Sequence, residues 1–380
     1  MLPVHDEFFM RRALDLAQQG LGLVEPNPLV GAIVLKDGQV VGEGFHNKFG
    51  GPHAEVIALQ TAGQQARGAT LYVTLEPCCH FGKTPPCTDA IIAGGIQRVV
   101  CAMVDPFPQV SGRGIKILSD HGIQVDVGLL EVEARSLNRA FLKRINTGKP
   151  YVIAKWAQTL DGAVATIHGE SRWISSAESR ELVHIMRGRV DAIIVGLGTA
   201  QHDDPLLNAR PSNPEDIKRI ATRIVLDSQC HLSPKSQLVR TASQYPLIVA
   251  CSDKLSAPAR KRSAILAAKG VTMLPLRAAG KADARPSVRQ LLTHLYRLGH
   301  ANVLVEGGPH VLGSFIDRQE VDEAHIFLAP KLIPGAQAIR PIFGPPPRKL
   351  AAAPHLEIES VTDSGGDVYA IARWKRNGQS

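Results

Sequence analysis

Five residues with metal-binding or proton-carrying side chains lie close together in the first quarter of the chain. His53 and Glu55 belong to the sequence HAEVIA, and Cys78, Cys79 and Cys87 belong to LEPCCHFGKTPPC. A catalytic zinc site takes three protein ligands from His, Cys and carboxylate side chains and keeps a fourth position for water. Zinc lowers the pKa of that water towards neutrality, and a nearby carboxylate can then carry its protons.

The surrounding pattern predicts the elements that position these residues. HAEVIALQTAG has helical spacing after a Gly-Gly-Pro break, so His53 is predicted at the start of a helix. ATLYVTLEP is predicted to be a strand, which places Cys78 and Cys87 in the loop that follows it. A helix start beside a strand end is a suitable place for such ligands to converge, with Glu55 near the metal but not bound to it.

The same residues also fit other interpretations. A structural zinc site uses four protein ligands, and Cys79 or His80 could be the fourth. The cysteines could instead be unliganded loop residues. Glu55 could be an ordinary solvated residue, because the first turn of a helix favours acidic side chains.

His-x-Glu followed by Pro-Cys and a second Cys is the signature of zinc nucleobase deaminases, whose usual second half is Pro-Cys-x-x-Cys. Here eight residues, CHFGKTPP, separate Cys78 from Cys87, so the generic pattern fails. PCCHFGKTPPCTDA, together with PNPLVGAIV and HAE, instead resembles the deaminase half of the bifunctional riboflavin-biosynthesis deaminase/reductase family. That family carries its second and third metal ligands on the longer loop.

The resemblance implies Zn²⁺ on His53, Cys78 and Cys87, with Glu55 as the proton carrier. It also implies that Asn27 contacts the substrate, which we favour over the alternative of a purely structural turn between two prolines. His46 and Lys83 are weaker candidates for holding the substrate. Cys79 departs from the family pattern, which often has Ser there, and adds a thiol beside the metal.

The first 145 residues alternate predicted strands and helices, which is typical of an α/β layer fold. Asp37-Gly38 predicts a hairpin turn, and EVEARSLNRAFLKRINTG is predicted to be one long helix. Gly148 and Pro150 end this half, because glycine ends a helix and proline prevents its continuation. We therefore predict a deaminase domain at 1–147 and a second domain at 148–380. The resemblance implies a cytidine-deaminase-like three-layer α/β/α fold for the first domain.

The second half repeats the alternation of strands and helices and includes a long Pro- and Gly-rich loop at 331–354. GLGTAQHDDP follows a strand but lacks the third glycine of a dinucleotide-binding fingerprint. VEGGPHVLGS takes a strand through paired glycines into a helix, whose N-terminal N–H groups suit a phosphate. A tight strand-to-helix turn would explain these glycines as well.

The motifs KWAQTLDG, GESRWIS, VGLGTAQHDDPLLNAR, RIVLDSQ and VEGGPHVLGSF occur in the order seen in the reductase half of the same family. The resemblance implies a dihydrofolate-reductase-like α/β domain that uses NADPH. The cofactor contacts that it implies are Ala157, Trp173, Thr199, Asp203, Ser228, Gly308, Pro309, His310, Val311, Leu312, Gly313 and Ser314. The substrate contacts that it implies are Ser171, Arg187, Leu207, Arg210 and Glu306.

Some of these positions have simpler explanations. Arg187 and Arg210 suit a bidentate grip on a ribose phosphate, but Arg187 also ends an amphipathic helix, where a basic residue is common. Trp173 could belong to the core, and Asp203 could cap a loop. Lys155 and Asp161 flank the first strand without an assigned role, and no acid or base stands out for the reductase step.

Composition limits the class of protein. Six cysteines in 380 residues do not make a disulfide framework, and Cys101 and Cys251 are predicted to be buried hydrophobic residues. The chain has neither an apolar run long enough for a membrane span nor a secretion signal, so we expect a cytoplasmic protein without a membrane partner. The net charge of +8 favours anionic partners, and phosphorylated small molecules fit at least as well as nucleic acid.

The family resemblance implies hydrolytic deamination of a diaminopyrimidinone ribosylamine 5′-phosphate, followed by NADPH-dependent reduction of its ribosyl group, and this is the activity that we expect. Two alternatives are a base deaminase of tRNA or DNA and a non-catalytic zinc-binding regulator. Aromatic residues make up only 5% of the chain, which disfavours a nucleic-acid stacking surface. Glu55 disfavours a purely structural zinc site. The family resemblance also implies a homo-oligomer.

Overall fold

The computed structural model describes residues 4–82, 84–280, 285–335 and 337–374, and Lys83, a weak candidate substrate contact, lies outside them. The chain divides into two compact units, Met1–Gly148 and Lys149–Ser380. Within the described ranges, no helix combines the length and the apolar character that crossing a bilayer requires.

The first unit surrounds a mixed sheet with helices. Its strands are β1 (Gly31–Lys36), β2 (Gln39–Phe45), β3 (Thr70–Val73), β4 (Arg98–Cys101) and β5 (Gln124–Val127). Its α-helices are α1 (Val4–Gln18), α2 (Ala54–Ala62), α3 (Cys87–Ala93), α4 (Arg113–Asp120), α5 (Glu131–Leu137) and α6 (Arg139–Thr147), with a 3₁₀ turn at Gly63–Ala66.

The sheet order is β2-β1-β3-β4-β5, with β1 antiparallel to both neighbours and β3, β4 and β5 parallel. The β1–β2 hairpin turns at Asp37 and Gly38, which have the positive φ values of 48° and 77° that a tight two-residue turn requires. Parallel β3 and β4 bring their carboxyl ends to one edge of the sheet. The loops that follow β3 and β4 at that edge carry candidate site residues.

The predicted long helix at the end of the first unit is two helices, and that prediction was wrong. α5 ends at Leu137 and α6 begins at Arg139, with Asn138 between them. The Asn138 side chain is buried and makes two hydrogen bonds with the backbone of Leu29, accepting from its N–H at 2.8 Å and donating to its carbonyl at 2.9 Å. This long-range contact interrupts a helix that local spacing alone would continue.

The second unit is built on a larger sheet. Its strands are β6 (Tyr151–Thr159), β7 (Ala192–Gly196), β8 (Thr222–Leu226), β9 (Leu247–Ser252), β10 (Thr272–Leu276), β11 (Asn302–Val305), β12 (Glu323–Ala329), β13 (Leu356–Ser364) and β14 (Asp367–Trp374). Its α-helices are α7 (Ala177–Arg187), α8 (Leu197–Asp203), α9 (Gln237–Arg240), α10 (Ala257–Ala267), α11 (Val288–Arg297) and α12 (Pro309–Asp317), with 3₁₀ turns at Pro214–Asp216 and Leu350–Ala352.

The sheet order is β10-β9-β8-β7-β11-β6-β12-β14-β13, parallel from β10 to β12 and closed by the antiparallel pair β14 and β13. Both faces of the parallel part are apolar. In β7, Ala192 and Ile194 join one core cluster, whereas Ile193 and Val195 join another. Such strands are continuous hydrophobic runs because helices cover both faces of a parallel sheet.

Two elements differ from the sequence predictions, one in each unit. The sequence pattern predicts no helix over GLGTAQHDDP, but Leu197–Asp203 forms α8 directly after β7. The strand predicted over ATLYVTLEP is shorter, because only Thr70–Val73 pairs with its neighbours.

Candidate active sites

The first candidate site lies where α2, α3 and the segment after β3 meet. His53 is the residue before α2 and has an extended backbone, with φ of −77° and ψ of 162°. Cys87 is the first residue of α3, and Cys78 follows β3 after a short turn. The backbone N–H of Cys87 points at the Cys78 sulfur at 3.3 Å, so the loop closes on itself.

The side chains of His53, Cys78 and Cys87 converge on one point. His53 Nδ1 lies 3.1 Å from the Cys87 sulfur and 3.5 Å from the Cys78 sulfur. The three ligand atoms all lie within 4.8 Å of one another. One imidazole and two thiols in this arrangement are a donor set that suits Zn²⁺ with a further position for water.

The electrostatics of the two thiols differ. A hydrogen bond from Cys87, supported by His53, lowers the pKa of Cys78 to about 4. The pKa of Cys87 is raised, because its proton is held by that hydrogen bond and its side chain is buried. One thiolate is therefore already favoured at neutral pH, and thiolate is the form that binds a metal.

Glu55 lies in the first turn of α2 and is 3% exposed. Burial is the main reason that its pKa rises to about 7, and the charge of Cys78 adds to the effect. Its Oε2 atom has no hydrogen-bond partner among the described residues. A buried polar atom without a partner is costly, so this oxygen suits a ligand that is itself polar.

Cys79 and His80, the possible fourth ligands, do not join the cluster of potential metal ligands that the described residues form. The Cys79 sulfur lies 3.7 Å from the carbonyl oxygen of Gln109. The His80 ring lies 6.0 Å from the Phe107 ring. This geometry favours three protein ligands over four.

A cavity of about 350 Å³ opens beside the cluster, and Asn27, His46, His53 and Glu55 all line it. The Asn27 amide nitrogen lies 3.2 Å from His46 Nε2, while His46 Nδ1 lies 3.0 Å from the carbonyl oxygen of Pro52. Burial lowers the pKa of His46, which favours the neutral ring. Asn27 therefore faces the cavity from a fixed position.

Sequence reasoning missed other residues of this cavity, including Asp105, Phe107 and Arg144. Asp105 follows β4, and its position after a buried strand was an available signal. Glu76 holds the segment after β4 in place, since its carboxylate accepts backbone N–H bonds from Asp105 at 3.1 Å and Gly114 at 2.9 Å. Arg144 comes from α6, far along the chain, so nothing local marked it.

The second candidate site is a cavity of about 400 Å³ in the second unit, at the carboxyl ends of β7 and β8 and beside α12. Ligands of open parallel sheets bind at this end of the strands. Four of the predicted cofactor residues line it: Ser228, His310, Val311 and Ser314. The lining also includes Arg285 and Arg318, which the sequence reasoning did not select.

Paired glycines bring the strand ends close to α12. A Cβ atom on Gly196 would lie 2.8 Å from Val311, and one on Gly307 would lie 2.4 Å from it. A Cβ on Gly308 would lie 3.1 Å from the Thr199 hydroxyl, so Thr199 sits against the start of α12. These glycines thus serve close packing, and α12 lines the cavity from His310 and Val311 in its first turn onwards.

The remaining predicted cofactor residues do not line this cavity. Leu312 and Gly313 face the core, and a Cβ on Gly313 would lie 1.6 Å from the Phe343 carbonyl oxygen. Trp173 is 64% exposed and stacks under the Arg180 guanidinium at 4.4 Å, so it is not a core residue. Three others lie in β6, at the end of α8 and at the start of α12: Ala157, Asp203 and Pro309.

The predicted substrate residues include a buried ion pair. Arg187 donates two hydrogen bonds to Glu306, at 2.6 and 2.8 Å. Burial raises the pKa of Glu306, but Arg187 and Lys155 outweigh this effect and hold it below its ordinary value. Arg187 therefore points at Glu306 in this structure.

The other predicted substrate residues lie outside the helices and strands, and Arg210 is near enough to Arg187 for their charges to interact. The Arg210 guanidinium contacts Asn208, and the Arg210 N–H donates to His184 Nδ1 at 3.3 Å. Burial and the charges of Arg187 and Arg210 lower the pKa of His184. Leu207 is buried, and Ser171 lies in the segment before α7. Nearby cationic groups of this kind suit an anionic substrate.

Two family models divide the chain in the same way as the two sites. Residues 3–103 match the cytidine and deoxycytidylate deaminase zinc-binding region, and residues 150–370 match the RibD C-terminal domain. With the metal-ligand cluster, these matches define an enzyme in which a zinc-binding deaminase domain of three α/β/α layers precedes a reductase domain.

Sequence similarity to curated relatives extends over most of the chain. The riboflavin biosynthesis protein RibD of Escherichia coli is 40% identical over 377 residues, which cover 96% of this chain and 98% of that protein. The chain belongs to the RibD family. RibD of Aquifex aeolicus is 44% identical over 330 residues, covering 86% of this chain and 88% of its own length.

The structures of relatives agree with this assignment. RibD of Acinetobacter baumannii superimposes with a TM-score of 0.84 at 34% identity and covers 98% of this chain and 99% of its own. A diaminohydroxyphosphoribosylaminopyrimidine deaminase/5-amino-6-(5-phosphoribosylamino)uracil reductase of Thermotoga maritima gives a TM-score of 0.81 at 35% identity, covering 98% and 99%. The cofactors of this pair of domains are Zn²⁺ and NADPH, and the donor set of the first site fits the metal.

Proposed function

We propose that the first unit, residues 1–147 in our division, deaminates 2,5-diamino-6-(5-phosphoribosylamino)pyrimidin-4(3H)-one, and that residues 148–380 then reduce its ribosyl group with NADPH. The observation that carries the proposal is the convergence of His53, Cys78 and Cys87 beside the buried Oε2 of Glu55. A structural metal site has no use for a buried carboxylate oxygen without a partner.

In the deaminase step, water adds to the ring carbon that bears the 2-amino group, the C–N bond breaks, and ammonia leaves. Zn²⁺, when it is bound by His53, Cys78 and Cys87, supplies the polarisation that makes water acidic near neutral pH. Glu55 takes the proton of the attacking water and passes it to the leaving nitrogen. Its burial keeps bulk water away from this transfer.

Asn27 and His46 orient the ring in the cavity. The side-chain amide of Asn27 is held by His46, which is in turn held by the Pro52 carbonyl oxygen. Because this hydrogen bond already fixes the amide, the amide can form hydrogen bonds with the pyrimidinone without losing further side-chain entropy on binding. We propose that Asn27 contacts the substrate directly and that His46 positions it.

In the reductase step, the C1′–O4′ bond of the ribosyl group opens and C1′ is reduced. NADPH supplies the hydride, and the protein holds the cofactor and the sugar in reacting geometry. We propose that Ser171, Leu207 and Arg210 hold the sugar phosphate, next to the Arg187–Glu306 ion pair. The cavity at the carboxyl ends of β7 and β8, beside α12, would hold the cofactor.

Ammonia release tests the deaminase assignment. We expect the purified chain to release ammonia from the pyrimidine phosphate and not from single-stranded RNA or tRNA. Release from RNA alone would replace our proposal by a nucleic-acid deaminase, which the full-length matches to RibD proteins disfavour. The same preparation should contain about one zinc per chain by elemental analysis.

The family resemblance further supports a cytoplasmic enzyme that forms a homo-oligomer. Sedimentation of the purified chain measures that state directly, and a monomer at all concentrations would contradict this part of the proposal.

A further inference from the structure

One wall of the second cavity carries two arginines. Arg285 lies in the segment before α11, and Arg318 ends α12. Among the described residues that line the cavity, Asp227 is the single acidic side chain. Both of its oxygens are engaged, because they accept backbone N–H bonds from Gln229 at 3.3 Å and Leu232 at 2.7 Å. Two guanidinium groups and one carboxylate therefore line the cavity among the described residues, which favours an anionic ligand.

The face of α12 that lines the cavity is polar, although the rest of the helix is apolar. His310, Ser314 and Arg318 line it at four-residue intervals, which places them on one side of the helix. Leu312, Phe315 and other residues of the opposite face are buried in the core. A polar stripe on an otherwise buried helix suits a polar ligand rather than further packing.

Hydrogen bonds fix both guanidinium groups at this face. Arg285 donates to the Ser314 hydroxyl at 3.1 Å, and that hydroxyl donates to the His310 carbonyl oxygen at 2.8 Å. Arg318 donates to the Ala279 carbonyl oxygen at 3.3 Å. The two side chains come from different segments and are held against the same cavity.

The position of Arg318 along α12 separates it from the site of the pyrophosphate. The N-terminus of α12 at Gly308 is the natural place for a pyrophosphate, because its N–H groups are unpaired within the helix. At about 1.5 Å per residue, Arg318 lies about 15 Å further along the axis. Arg318 still lines the cavity, because side chains on helices lean back towards the N-terminus, and the adenosine end of a dinucleotide whose pyrophosphate is bound at Gly308 would be the part within its reach.

From these contacts we infer that Arg285 and Arg318 bind the 2′-phosphate of NADPH and make the reductase selective for NADPH over NADH. The inference rests on the proposed reductase function. A phosphate monoester carries nearly two negative charges at neutral pH, and guanidinium groups match its geometry with paired hydrogen bonds. NADH lacks this phosphate, so the same arginines give it no comparable contact.

Direct binding tests the inference without turnover. Dissociation constants for NADPH and NADH are measured by calorimetry on the full chain, for wild type, Arg285→Ala, Arg318→Ala and the double variant. We expect each single change to weaken NADPH about tenfold, the size of one lost charge-assisted hydrogen bond, and to change NADH less than twofold. The competitors 2′,5′-ADP and 5′-AMP should show the same contrast.

The control is Arg297→Ala, which removes the same charge from an exposed position of α11 outside the cavity lining. It should leave both constants unchanged, and Arg318→Lys should keep part of the selectivity. Equal losses for NADPH and NADH would show that the arginines contact the adenine or support the fold, and unchanged NADPH binding would also overturn the inference. Failure of the wild type to bind NADPH would instead contradict the reductase assignment.

Discussion

At the scale of single residues, the deaminase site depends on side chains whose pKa values are shifted by their surroundings in the fold. Cys78 has a lowered pKa because Cys87 and His53 donate to its sulfur, so the thiolate forms before a metal binds. Glu55 is buried two residues after His53, and its Oε2 atom has no hydrogen-bond partner in the part of the chain that the structure describes. Metal ligand and proton carrier are thus adjacent but chemically distinct.

The first prediction concerns Glu55. Glu55→Gln keeps the shape of the side chain but removes its ability to carry protons, so we expect ammonia release to fall about 10²- to 10⁴-fold while zinc content is unchanged. Glu7→Gln, at a half-exposed position of α1, is the matched control and should retain full activity. Unchanged ammonia release in Glu55→Gln would show that another group carries the proton.

The second prediction separates the two adjacent cysteines. Cys78→Ala removes a thiolate from the cluster, and we expect purified protein to lose most of its zinc. Cys79→Ala should keep about one zinc per chain, because its sulfur faces the Gln109 carbonyl oxygen and not the cluster. The measurement is elemental analysis after dialysis. Zinc loss in Cys79→Ala would mean that the adjacent thiol is the ligand.

The residue types and their spacing predicted this cluster, because metal ligands and a proton carrier are few in kind. They did not predict Asp105 or Arg144, which reach the cavity from segments far along the chain. The burial of Glu55 was also beyond the sequence, since it depends on how α2 packs against β1, β2 and α3. In the second unit, Arg285 and Arg318 belong to none of the recognised sequence motifs, so nothing in the sequence pattern gave a reason to select them.

At the scale of elements, close approach of helices to strand ends shapes both sites. Strand patterns and turn residues predicted most elements, including the Asp37-Gly38 hairpin. The break at Asn138 and the helix α8 were missed, because the first depends on a contact with Leu29 and the second on packing after β7. Local spacing contains no information on either contact.

The third prediction concerns α12. Gly313→Ala would place a Cβ 1.6 Å from the Phe343 carbonyl oxygen, which is backbone and cannot move independently. We expect the free energy of unfolding of the second unit to fall by about 1–3 kcal/mol, the usual cost of overpacking, with weaker NADPH binding. Gly344→Ala has open space and is the control. Chemical denaturation measures both, and equal stability of the two variants would contradict the packing account.

At the scale of the whole molecule, two compact units carry two separate chemistries. The fold class followed from alternating strands and helices, whereas the assignment of each half to one reaction depended on family resemblance as well. The net charge of +8 agrees with substrates and cofactors that carry phosphates.

The fourth prediction tests the separation of the two reactions. Removing zinc with a chelator should abolish ammonia release, because the ligand cluster lies in the first unit. NADPH oxidation with the already deaminated substrate should continue at nearly its former rate. Adding Zn²⁺ back should restore ammonia release. A parallel loss of NADPH oxidation, not reversed by zinc, would show that the two units do not act independently.

The central claim is that one chain deaminates the pyrimidine phosphate and then reduces its sugar. A single reaction with this substrate and NADPH, in which ammonia and NADPH are followed together, tests it most directly. The account predicts that ammonia appears first, that NADPH is then consumed in equal amount, and that ammonia is still released when NADPH is omitted. Consumption of NADPH without release of ammonia, or no reaction of this substrate at all, would contradict it.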